Sequence, residues 1–236
     1  MKLYLVRHGE TEWNRQYRYY GKTDVALNEK GKEQAKQVGE LLKGASFDRI
    51  YTSTLKRAKQ TEEIITGLID QREEKSTRNI TFSFRLEEQD LGIFEGYTYQ
   101  ELQKQFPEEL ELWNQDFKAA PHGGESFYDF YYRIYEFCEK ELEIQGLSFI
   151  KQGGNCLYEN STRSSITVPP KRAEEKVLIV SHMAVLRCFF TILLGMQEDA
   201  IWNFTIEQGA YSQIDIEDGC VIIRKINQSC EHVSYP

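Results

Sequence analysis

The amino-acid sequence predicts an α/β fold, with a mainly parallel sheet flanked by helices on both faces and a helical lid insertion. Strand-like and helix-like segments alternate along the first half, which is typical of a parallel sheet with crossover helices. The middle of the chain, in contrast, is helical in pattern and rich in aromatic residues. Two short apolar runs, at residues 3–6 and 177–180, each lead to a histidine in a chain with only four histidines.

Five elements are predicted in the first half from the spacing of apolar residues. Residues 2–6 form an apolar run of strand length, and residues 80–86 alternate apolar and polar side chains as a half-exposed strand does. Ala35, Val38 and Leu42 are spaced to lie on one face of a helix, and Gly44 follows the end of that helix. The predicted order is strand 2–6, helix 28–43, strand 47–53, helix 54–69 and strand 80–86.

The second half continues with a different pattern. Residues 98–146 predict helices rich in aromatic side chains, one of which begins near Ser126. The polar stretch 145–176 predicts a long surface loop or hairpin. The remaining predicted elements are a strand over 176–181, a helix over 184–194, and a hairpin of strands 212–216 and 221–226.

Length and composition exclude several classes of protein. The 236 residues leave one or two domains open, and the formal net charge of −8 argues against a general nucleic-acid surface. No apolar run reaches the roughly 18 residues of a membrane span. Five cysteines without a CxxC pair favour reduced thiols over a zinc site. We therefore expect a cytoplasmic protein that binds no membrane, nucleic acid or metal; monomer and homodimer both stay open.

Charged residues follow the predicted strands where those strands end. Arg7 and His8 follow the first strand, His182 follows the fourth, and Arg57 lies one turn into the helix after the second. Because ligands bind at the carboxyl ends of parallel strands, we expect these residues to meet at one site. Taken singly, each has a plainer interpretation, such as a solvated arginine or a packing histidine. Their joint placement favours a site.

A cluster of this composition suits phosphoryl transfer. Two guanidinium groups offer forks of donors that match phosphate oxygens, and Asn14 adds another donor. A neutral imidazole is a competent nucleophile near pH 7. A carboxyl group after the third strand, on Glu87 or Glu88, can protonate the departing oxygen. The chain has neither a GxxxxGK loop nor an HExxH pair, which disfavours P-loop nucleotide hydrolysis and zinc peptidase chemistry.

Six segments resemble motifs of a known family. Residues 7–14 (RHGETEWN) are similar to the RHG signature of the histidine phosphatase superfamily, the phosphoglycerate-mutase-like proteins. The others are 21–31 (GKTDVALNEKG), 53–61 (STLKRAKQT), 88–96 (EQDLGIFEG), 121–126 (PHGGES, with one extra residue), and Ser181-His182 with Arg187. They follow the family's order across most of the chain. The resemblance implies a single histidine phosphatase domain over 1–236, with about 97–175 as a lid or insertion.

The resemblance also implies roles for individual residues. His8 forms a phosphohistidine, and Glu88, four residues before Gly92, is the proton donor. The implied catalytic set is His8, Glu88, Arg7, Arg57 and His182. The implied phosphate-binding or substrate-binding set is Arg7, Asn14, Gly21, Lys22, Arg57, His182 and Met183. Met183 stands where the family usually has glycine, and no metal or other cofactor is implied.

The motifs also favour one branch of the family. Residues 92–101 (GIFEGYTYQE) and 124–126 resemble the phosphatase branch, in which water takes the phosphoryl group. Residues 98–121 are acidic and aromatic where mutases are basic, which we interpret as a poor trap for a bisphosphate. We expect hydrolysis of a small-molecule phosphomonoester with an organic, partly apolar leaving group. The alternatives are a cofactor-dependent phosphoglycerate mutase and a non-catalytic phospholigand-binding protein.

Six aromatic side chains are candidates to line the leaving-group side of the site. Each of them, taken alone, is more often a core residue. They are Tyr17, Tyr19, Tyr20, Phe94, Trp113 and Phe117.

Overall fold

Parallel strands lie at the centre of the computed structural model, which describes residues 1–69, 79–147 and 165–230. The strands are β1 (Lys2–Arg7), β2 (Arg49–Ser53), β3 (Ile80–Ser83), β4 (Lys176–Ser181), β5 (Tyr211–Glu217) and β6 (Cys220–Gln228). They form one sheet in the order β3-β2-β4-β1-β5-β6. The first four strands of that order are parallel to one another, and β5 is antiparallel to both of its neighbours.

Seven α-helices accompany the strands in the described ranges. They are α1 (Glu12–Arg15), α2 (Glu29–Leu41), α3 (Lys56–Ile69), α4 (Tyr99–Gln105), α5 (Pro107–Gln115), α6 (Phe127–Glu136) and α7 (Met183–Leu193). A π-helical turn over Phe137–Glu141 continues α6, and a 3₁₀ helix over Glu198–Asn203 follows α7. None of the helices in these ranges has the length and apolar character needed to cross a membrane.

Successive side chains of the central strands point to opposite faces of the sheet, and helices cover each face. Leu3 and Leu5 of β1 share a buried core with Phe130 of α6 and Phe189 of α7. Val6 points the other way, into a second core formed with α2 and α3. This packing on both faces confirms the predicted fold class.

The helices between β3 and β4 fall into two groups. Leu102 of α4 and Leu110 of α5 pack on Phe94 in a small core of their own. In contrast, α6 contributes Phe130 and Ile134 to the main core against the sheet. The described part of the expected insertion therefore contains two kinds of helix: α4 and α5 pack on each other in a separate small core, and α6 packs in the main core of the sheet. The division of the chain into a single domain with a lid over about 97–175 stays a prediction.

The ends of most predicted elements lie within two residues of the observed ones, and the third strand differs most. The strand predicted over 80–86 ends at Ser83, and Phe84–Leu86 form a 3₁₀ turn closed by the Glu87 N–H and the Phe84 carbonyl. The turn places Leu86 in the core with no exposed surface. The predicted hairpin is confirmed, with Asp218 and Gly219 at φ 51° and 76° between β5 and β6. Residues 148–164 of the predicted loop lie outside the described residues.

The turn after β1 packs directly on the first turn of α2 through two glycines. A Cβ on Gly9 would overlap the carbonyl of Gly31, and a Cβ on Gly31 would overlap the carbonyl of Glu10. Asn28 caps α2, because its Oδ1 accepts from the Gly31 N–H at 2.8 Å. The Asn28 N–H in turn donates to the Glu10 carbonyl at 3.0 Å. The backbone that carries His8 is thus held against a helix terminus.

We predict that Gly31→Ala destabilises the protein by about 1–3 kcal/mol, because the added methyl meets backbone that has no room to relax. Gly67→Ala is the matched control: this helical glycine of α3 has nothing within 4 Å of its Cβ position. There the substitution should stabilise by about 0.5–1 kcal/mol. Urea unfolding of both variants measures the two effects, and changes of the same sign would contradict the close contact.

Candidate active site

The sheet brings two histidines together at the carboxyl end of neighbouring strands. Arg7 of β1 lies opposite Ser181 of β4 in the parallel register, so His8 and His182 follow side by side. Their ring centroids are 5.1 Å apart with an interplanar angle of 60°. Ser53, at the end of β2 on the other side of β4, lies at the same edge. The sequence prediction that these strand ends converge is confirmed.

His8 is buried as a neutral ring with one nitrogen free. Its Nδ1 lies 2.7 Å from the carbonyl oxygen of Gly9, so this nitrogen carries the proton and donates. Burial, together with the charges of Arg57 and Arg7, holds the pKa of His8 well below its usual value of 6.5. The lone pair of Nε2 is therefore available to a ligand at neutral pH.

His182 lies behind that ring and is fully buried. Its Nδ1 accepts from Nε of Arg57 at 3.2 Å, and an arginine is only a donor. The proton of the neutral ring is thus on Nε2, which donates to Oγ of Ser53 at 2.8 Å. Burial and the charge of Arg57 lower the pKa of His182 well below 6.5. In this arrangement His182 uses both nitrogens on the protein and orients Arg57; its side chain does not line the cavity.

The Arg57 guanidinium is buried with a partner for each of its three nitrogens. Nη1 donates to the Thr23 carbonyl at 2.9 Å, and Nη2 donates to the Gly21 carbonyl at 2.6 Å. The guanidinium carbon (Cζ) of Arg57 lies 4.6 Å from the centroid of the Tyr20 ring, which is a cation–π contact. The guanidinium has five N–H groups, and the protein supplies acceptors for three of them. The remaining donors are available to a ligand in the cavity that Arg57 lines.

The loop that receives Arg57 is held by a carboxylate from another segment. Glu95 accepts from the N–H groups of Lys22, Thr23 and Leu91 and from the Thr23 hydroxyl. Partial burial tends to raise the pKa of Glu95, but the hydrogen bond from Thr23 and the backbone donors hold it below its usual value. Gly21 fits here because a Cβ would overlap the Gln89 carbonyl. The Gly21 contribution to the site is therefore its carbonyl oxygen.

Asn14 is oriented by its own surroundings. Its Oδ1 accepts from the Thr11 N–H at 3.1 Å and from the Tyr20 hydroxyl at 2.6 Å. With the oxygen held by these two donors, the amide nitrogen is directed to the cavity that Asn14 lines. Arg7 is anchored in a similar way by Nη1, which donates to the Ile206 carbonyl at 2.6 Å. Both side chains thus present fixed donors beside His8.

Two adjacent glutamates have different surroundings, and only one of them lines the cavity. Glu87 accepts from the hydroxyl of Thr54. Glu88 lines the cavity, and its Oε2 accepts from the Ala184 N–H at the start of α7 at 3.2 Å. Its charge also acts on the guanidinium groups of Arg7 and Arg57, whose pKa values burial lowers and Glu88 raises. The geometry therefore agrees with the choice of Glu88 as the cavity carboxyl.

A cavity of about 370 Å³ is lined by His8, by the polar groups described above and by a set of apolar and aromatic side chains. Four of the six candidate aromatics line it. Tyr17 is 85% exposed at the surface instead, and Phe94 is buried in the small core under α4 and α5. The lining residues beyond the predicted set are Arg18, Gln89, Leu91, Phe127, Ala184, Arg187, Ile201 and Trp202.

The resemblance implies that Lys22 and Met183 lie near the substrate, and the structure adds Arg187 to the cavity lining. Met183 does line the cavity, whereas Lys22 is exposed and reaches the site only through its backbone N–H to Glu95. Arg187 belongs to one of the family-like segments, and the sequence alone assigns it no function. Its position four residues after Met183 on a helix was the available signal, because such residues share a helical face.

The interpretation of residues 98–121 as an acidic surround is wrong for the cavity itself. Glu108 and Glu111 of α5 are exposed, and no glutamate of that helix lines the cavity. The helix instead directs Leu110 into the small core and Trp113 to the cavity wall. Of the charged side chains that line the cavity, four are arginines and one is a carboxylate. Its surface therefore attracts anions.

Comparisons with known proteins agree with this arrangement. A family model described as the histidine phosphatase superfamily (branch 1) matches residues 3–146 and 160–229. Phosphoserine phosphatase 1 of Hydrogenobacter thermophilus is 30% identical over 231 residues, 98% of this chain and 93% of that protein. An adenosylcobalamin/alpha-ribazole phosphatase of Escherichia coli is 30% identical over 230 residues, 96% of each chain. The crystal structure of the alpha-ribazole phosphatase from Shigella flexneri superposes with a TM-score of 0.76 at 28% identity, covering 97% of this chain and 96% of that one.

The two buried histidines predict a specific pH dependence of stability. Each has a folded pKa below the usual 6.5, so the unfolded chain binds more protons as the pH falls below 6.5. As the pH falls below 6.5, the free energy of unfolding should then fall by up to about 1.4 kcal/mol per pH unit for each histidine. Well above pH 6.5, neither histidine should make the free energy of unfolding depend on pH. Urea unfolding at pH 7.5, 6.5 and 5.5 measures this.

His8→Asn is the matched variant, because its amide can still donate to the Gly9 carbonyl. We expect it to lose less stability than the unmodified protein between pH 6.5 and 5.5, by about 1 kcal/mol. Parallel profiles for the two proteins would contradict a neutral, buried His8.

Proposed function

The chain belongs to the histidine phosphatase superfamily, and we propose that it is a metal-independent phosphatase that hydrolyses a small-molecule phosphomonoester through a phosphohistidine on His8. One observation carries the proposal. The unprotonated Nε2 of His8 faces a cavity in which Arg7 and Arg57 offer unused donors and Glu88 offers a carboxyl group. A nucleophile, an anion clamp and a proton donor are the three parts that phosphoryl transfer needs.

In the first step, the Nε2 lone pair forms a bond to phosphorus as the bond from phosphorus to the ester oxygen breaks. Charge spreads over the phosphoryl oxygens, and the guanidinium groups of Arg7 and Arg57 with the Asn14 amide stabilise it. The proton of a neutral Glu88 carboxyl goes to the departing alkoxide, which leaves as an alcohol. Because the arginines supply positive charge here, we expect no metal requirement.

In the second step, water replaces the alcohol beside Glu88. The Glu88 carboxylate takes a proton from the water, whose oxygen bonds to phosphorus as the bond to Nε2 breaks. Inorganic phosphate leaves, and both His8 and Glu88 return to their starting states. His182 has no direct part in either step as the rings lie here; it positions Arg57 through Nδ1.

The aromatic part of the cavity lining supports a substrate whose leaving group has a carbon framework, since Tyr19, Trp113 and Trp202 belong to it. The relatives' names point to phosphatases acting on organic monophosphates, phosphoserine in one case and α-ribazole phosphate in another. We extend only the shared class, a small-molecule phosphomonoester, to this chain.

Hydrolysis of p-nitrophenyl phosphate in EDTA tests the proposal. We expect turnover without metal, and a loss of roughly 10³-fold or more in kcat for His8→Ala, because the nucleophile is removed. His122→Ala is the matched control, since His122 is an exposed histidine away from the cavity. Full activity in His8→Ala would refute the role of His8.

The same assay separates the alternatives. If neither p-nitrophenyl phosphate nor any of a panel of sugar, nucleotide and glycerate phosphates is turned over, the result would favour the non-catalytic, phospholigand-binding alternative. Transfer of phosphate between glycerate positions that outpaces release of inorganic phosphate would identify a mutase.

Glu88→Gln should reveal the proton donor through the leaving group. We expect a loss of about 10²-fold or more for an alkyl phosphate, whose alkoxide needs a proton, and a much smaller loss for p-nitrophenyl phosphate, whose anion leaves without one. Glu87→Gln is the control, because Glu87 bonds Thr54 away from the cavity and should show neither effect. Equal losses for both substrates in Glu88→Gln would count against an acid role.

A further inference from the structure

The segment that carries Glu88 depends on side chains for its position. Residues 87–91 form neither helix nor strand, so no ladder of backbone hydrogen bonds fixes them. The 3₁₀ turn Phe84–Leu86 lies before them, and the Leu86 carbonyl accepts from the Ser181 hydroxyl at 2.7 Å. A proton donor acts only within hydrogen-bond reach of the departing oxygen, so the groups that fix this segment also affect the chemistry.

Arg133 of α6 binds two carbonyls around this segment at once. Its Nη1 donates to the Arg85 carbonyl at 2.8 Å, and its Nη2 donates to the Glu88 carbonyl at 3.0 Å. One planar guanidinium thus bridges the turn and the residue that provides the carboxyl group. The side chain is only 11% exposed, and its guanidinium carbon lies 4.8 Å from the centroid of the Phe130 ring in the main core. The core therefore supports the guanidinium in this position.

Glu125 binds both Arg133 and the residues that follow Glu88. Its Oε1 and Oε2 accept from Nε and Nη2 of Arg133 at 2.8 and 3.0 Å, a two-point pair between largely buried side chains. Its backbone carbonyl accepts from Nε2 of Gln89 at 3.0 Å, and its N–H donates to the Asp90 carbonyl at 2.9 Å. Together, Arg133 and Glu125 hold three consecutive residues of the segment.

This arrangement gives a role to residues 121–126, which the proposed reaction does not use. Ser126 caps α6, because its Oγ accepts from a backbone N–H of the first turn at 3.1 Å. Gly124 allows a close approach to the Glu88 segment, since a Cβ there would lie 2.7 Å from the Asp90 carbonyl oxygen. The motif therefore begins the helix that carries Arg133, supplies the carboxylate that pairs with it, and packs on the segment that both of them hold.

The carboxyl group of Glu88 is oriented by two backbone donors. Its Oε2 accepts from the Ala184 N–H at 3.2 Å, and its Oε1 accepts from the Gln89 N–H at 3.1 Å. The bond to Ala184 can form only while the Glu88 backbone stays where Arg133 holds it. Arg133 does not line the cavity, so its effect on the reaction comes through the position of Glu88.

We propose that Arg133, paired with Glu125, is a positioning residue that holds the Glu88 carboxyl group within reach of the departing oxygen. This inference rests on the proposed phosphatase function, in which Glu88 is the acid. The proposed nucleophile and the phosphoryl clamp are held by other partners. Loss of Arg133 should therefore weaken protonation of the leaving group and largely spare the attack on phosphorus.

The test compares two esters within each protein: p-nitrophenyl phosphate, whose anion leaves without a proton, and 2-phenylethyl phosphate, whose alkoxide needs one. The measured quantity is the ratio of their kcat/KM values, aryl over alkyl. We expect Arg133→Met to raise this ratio by about 10- to 100-fold, because a catalytic group displaced by about 1 Å loses that much of its effect. Both rates come from one preparation, so a variant with a reduced folded fraction gives the same ratio.

Arg85→Met is the matched control. The Arg85 side chain belongs to the same turn but pairs with Glu136 and Glu141, each at 3.8 Å, so its loss should leave the ratio unchanged. Two conservative variants carry the test if Arg133→Met does not fold. Arg133→Lys keeps the charge without the fork, and Glu125→Gln keeps the shape of the side chain with one acceptor fewer. Each should raise the ratio by a smaller factor than Arg133→Met.

A double variant separates positioning from general damage to the fold. In Glu88→Gln the acid is already absent, so adding Arg133→Met should change the ratio no further. A further rise there, an equal rise in Arg85→Met, or equal losses for both esters in Arg133→Met would overturn the inference. An unchanged ratio in every Arg133 and Glu125 variant, with a raised ratio in Glu88→Gln, would overturn it and leave the phosphatase standing. No turnover of either ester by the unmodified protein would overturn both proposals.

Discussion

The buried guanidinium of Arg57 is the interaction on which the rest of the site depends. Removing a charged group from water is costly unless hydrogen bonds and other contacts offset the loss of hydration. Here the acceptors come from three places in the sequence: the carbonyls of the 21–23 loop, the ring of His182 after β4, and the face of Tyr20. Each of these partners is itself held by other groups. Loss of any one removes part of what offsets the burial of this charge, so the elements are coupled to one another through Arg57.

Glu95 extends this coupling to Glu88, the proposed proton donor. Its two oxygens receive the backbone of the 21–23 loop and the N–H of Leu91, three residues after Glu88. The loop that supplies acceptors to Arg57 and the segment that carries Glu88 are thus tied to one carboxylate. Such coupling favours a preorganised site, because the Arg57 guanidinium and the segment that carries Glu88 are held in their relative positions without a ligand. Gly21 permits it, since any side chain there would meet the Gln89 backbone.

The sequence predicted the parts of the site that follow from topology, and the structure supplied those that follow from side-chain direction. His8 and His182 were predicted to meet because each ends a strand, and parallel strands share one edge. Nothing in the sequence indicated that His182 bonds Ser53 and Arg57, since rotamers are set by packing among distant segments. The ring of Tyr20 under Arg57 joins residues 37 positions apart with no local pattern between them. The error on α5 has a similar origin: composition counts its glutamates, but only the helix orientation shows that they face solvent while Trp113 faces the cavity.

The same positive charges that are proposed to bind the phosphoryl group also tune the proposed nucleophile for both half-reactions. Burial and the charges of Arg57 and Arg7 lower the pKa of His8, which keeps the ring unprotonated but makes it a weaker base. A weaker base attacks phosphorus less readily, and it also leaves phosphorus more readily when water arrives. Aromatic walls formed by Trp113, Phe117 and Trp202 exclude part of the solvent, so the arginines act through a lower dielectric and recover part of the cost of the first step. A lower pKa of His8 would therefore favour breakdown of the proposed phosphohistidine, whether the acceptor is water or an alcohol.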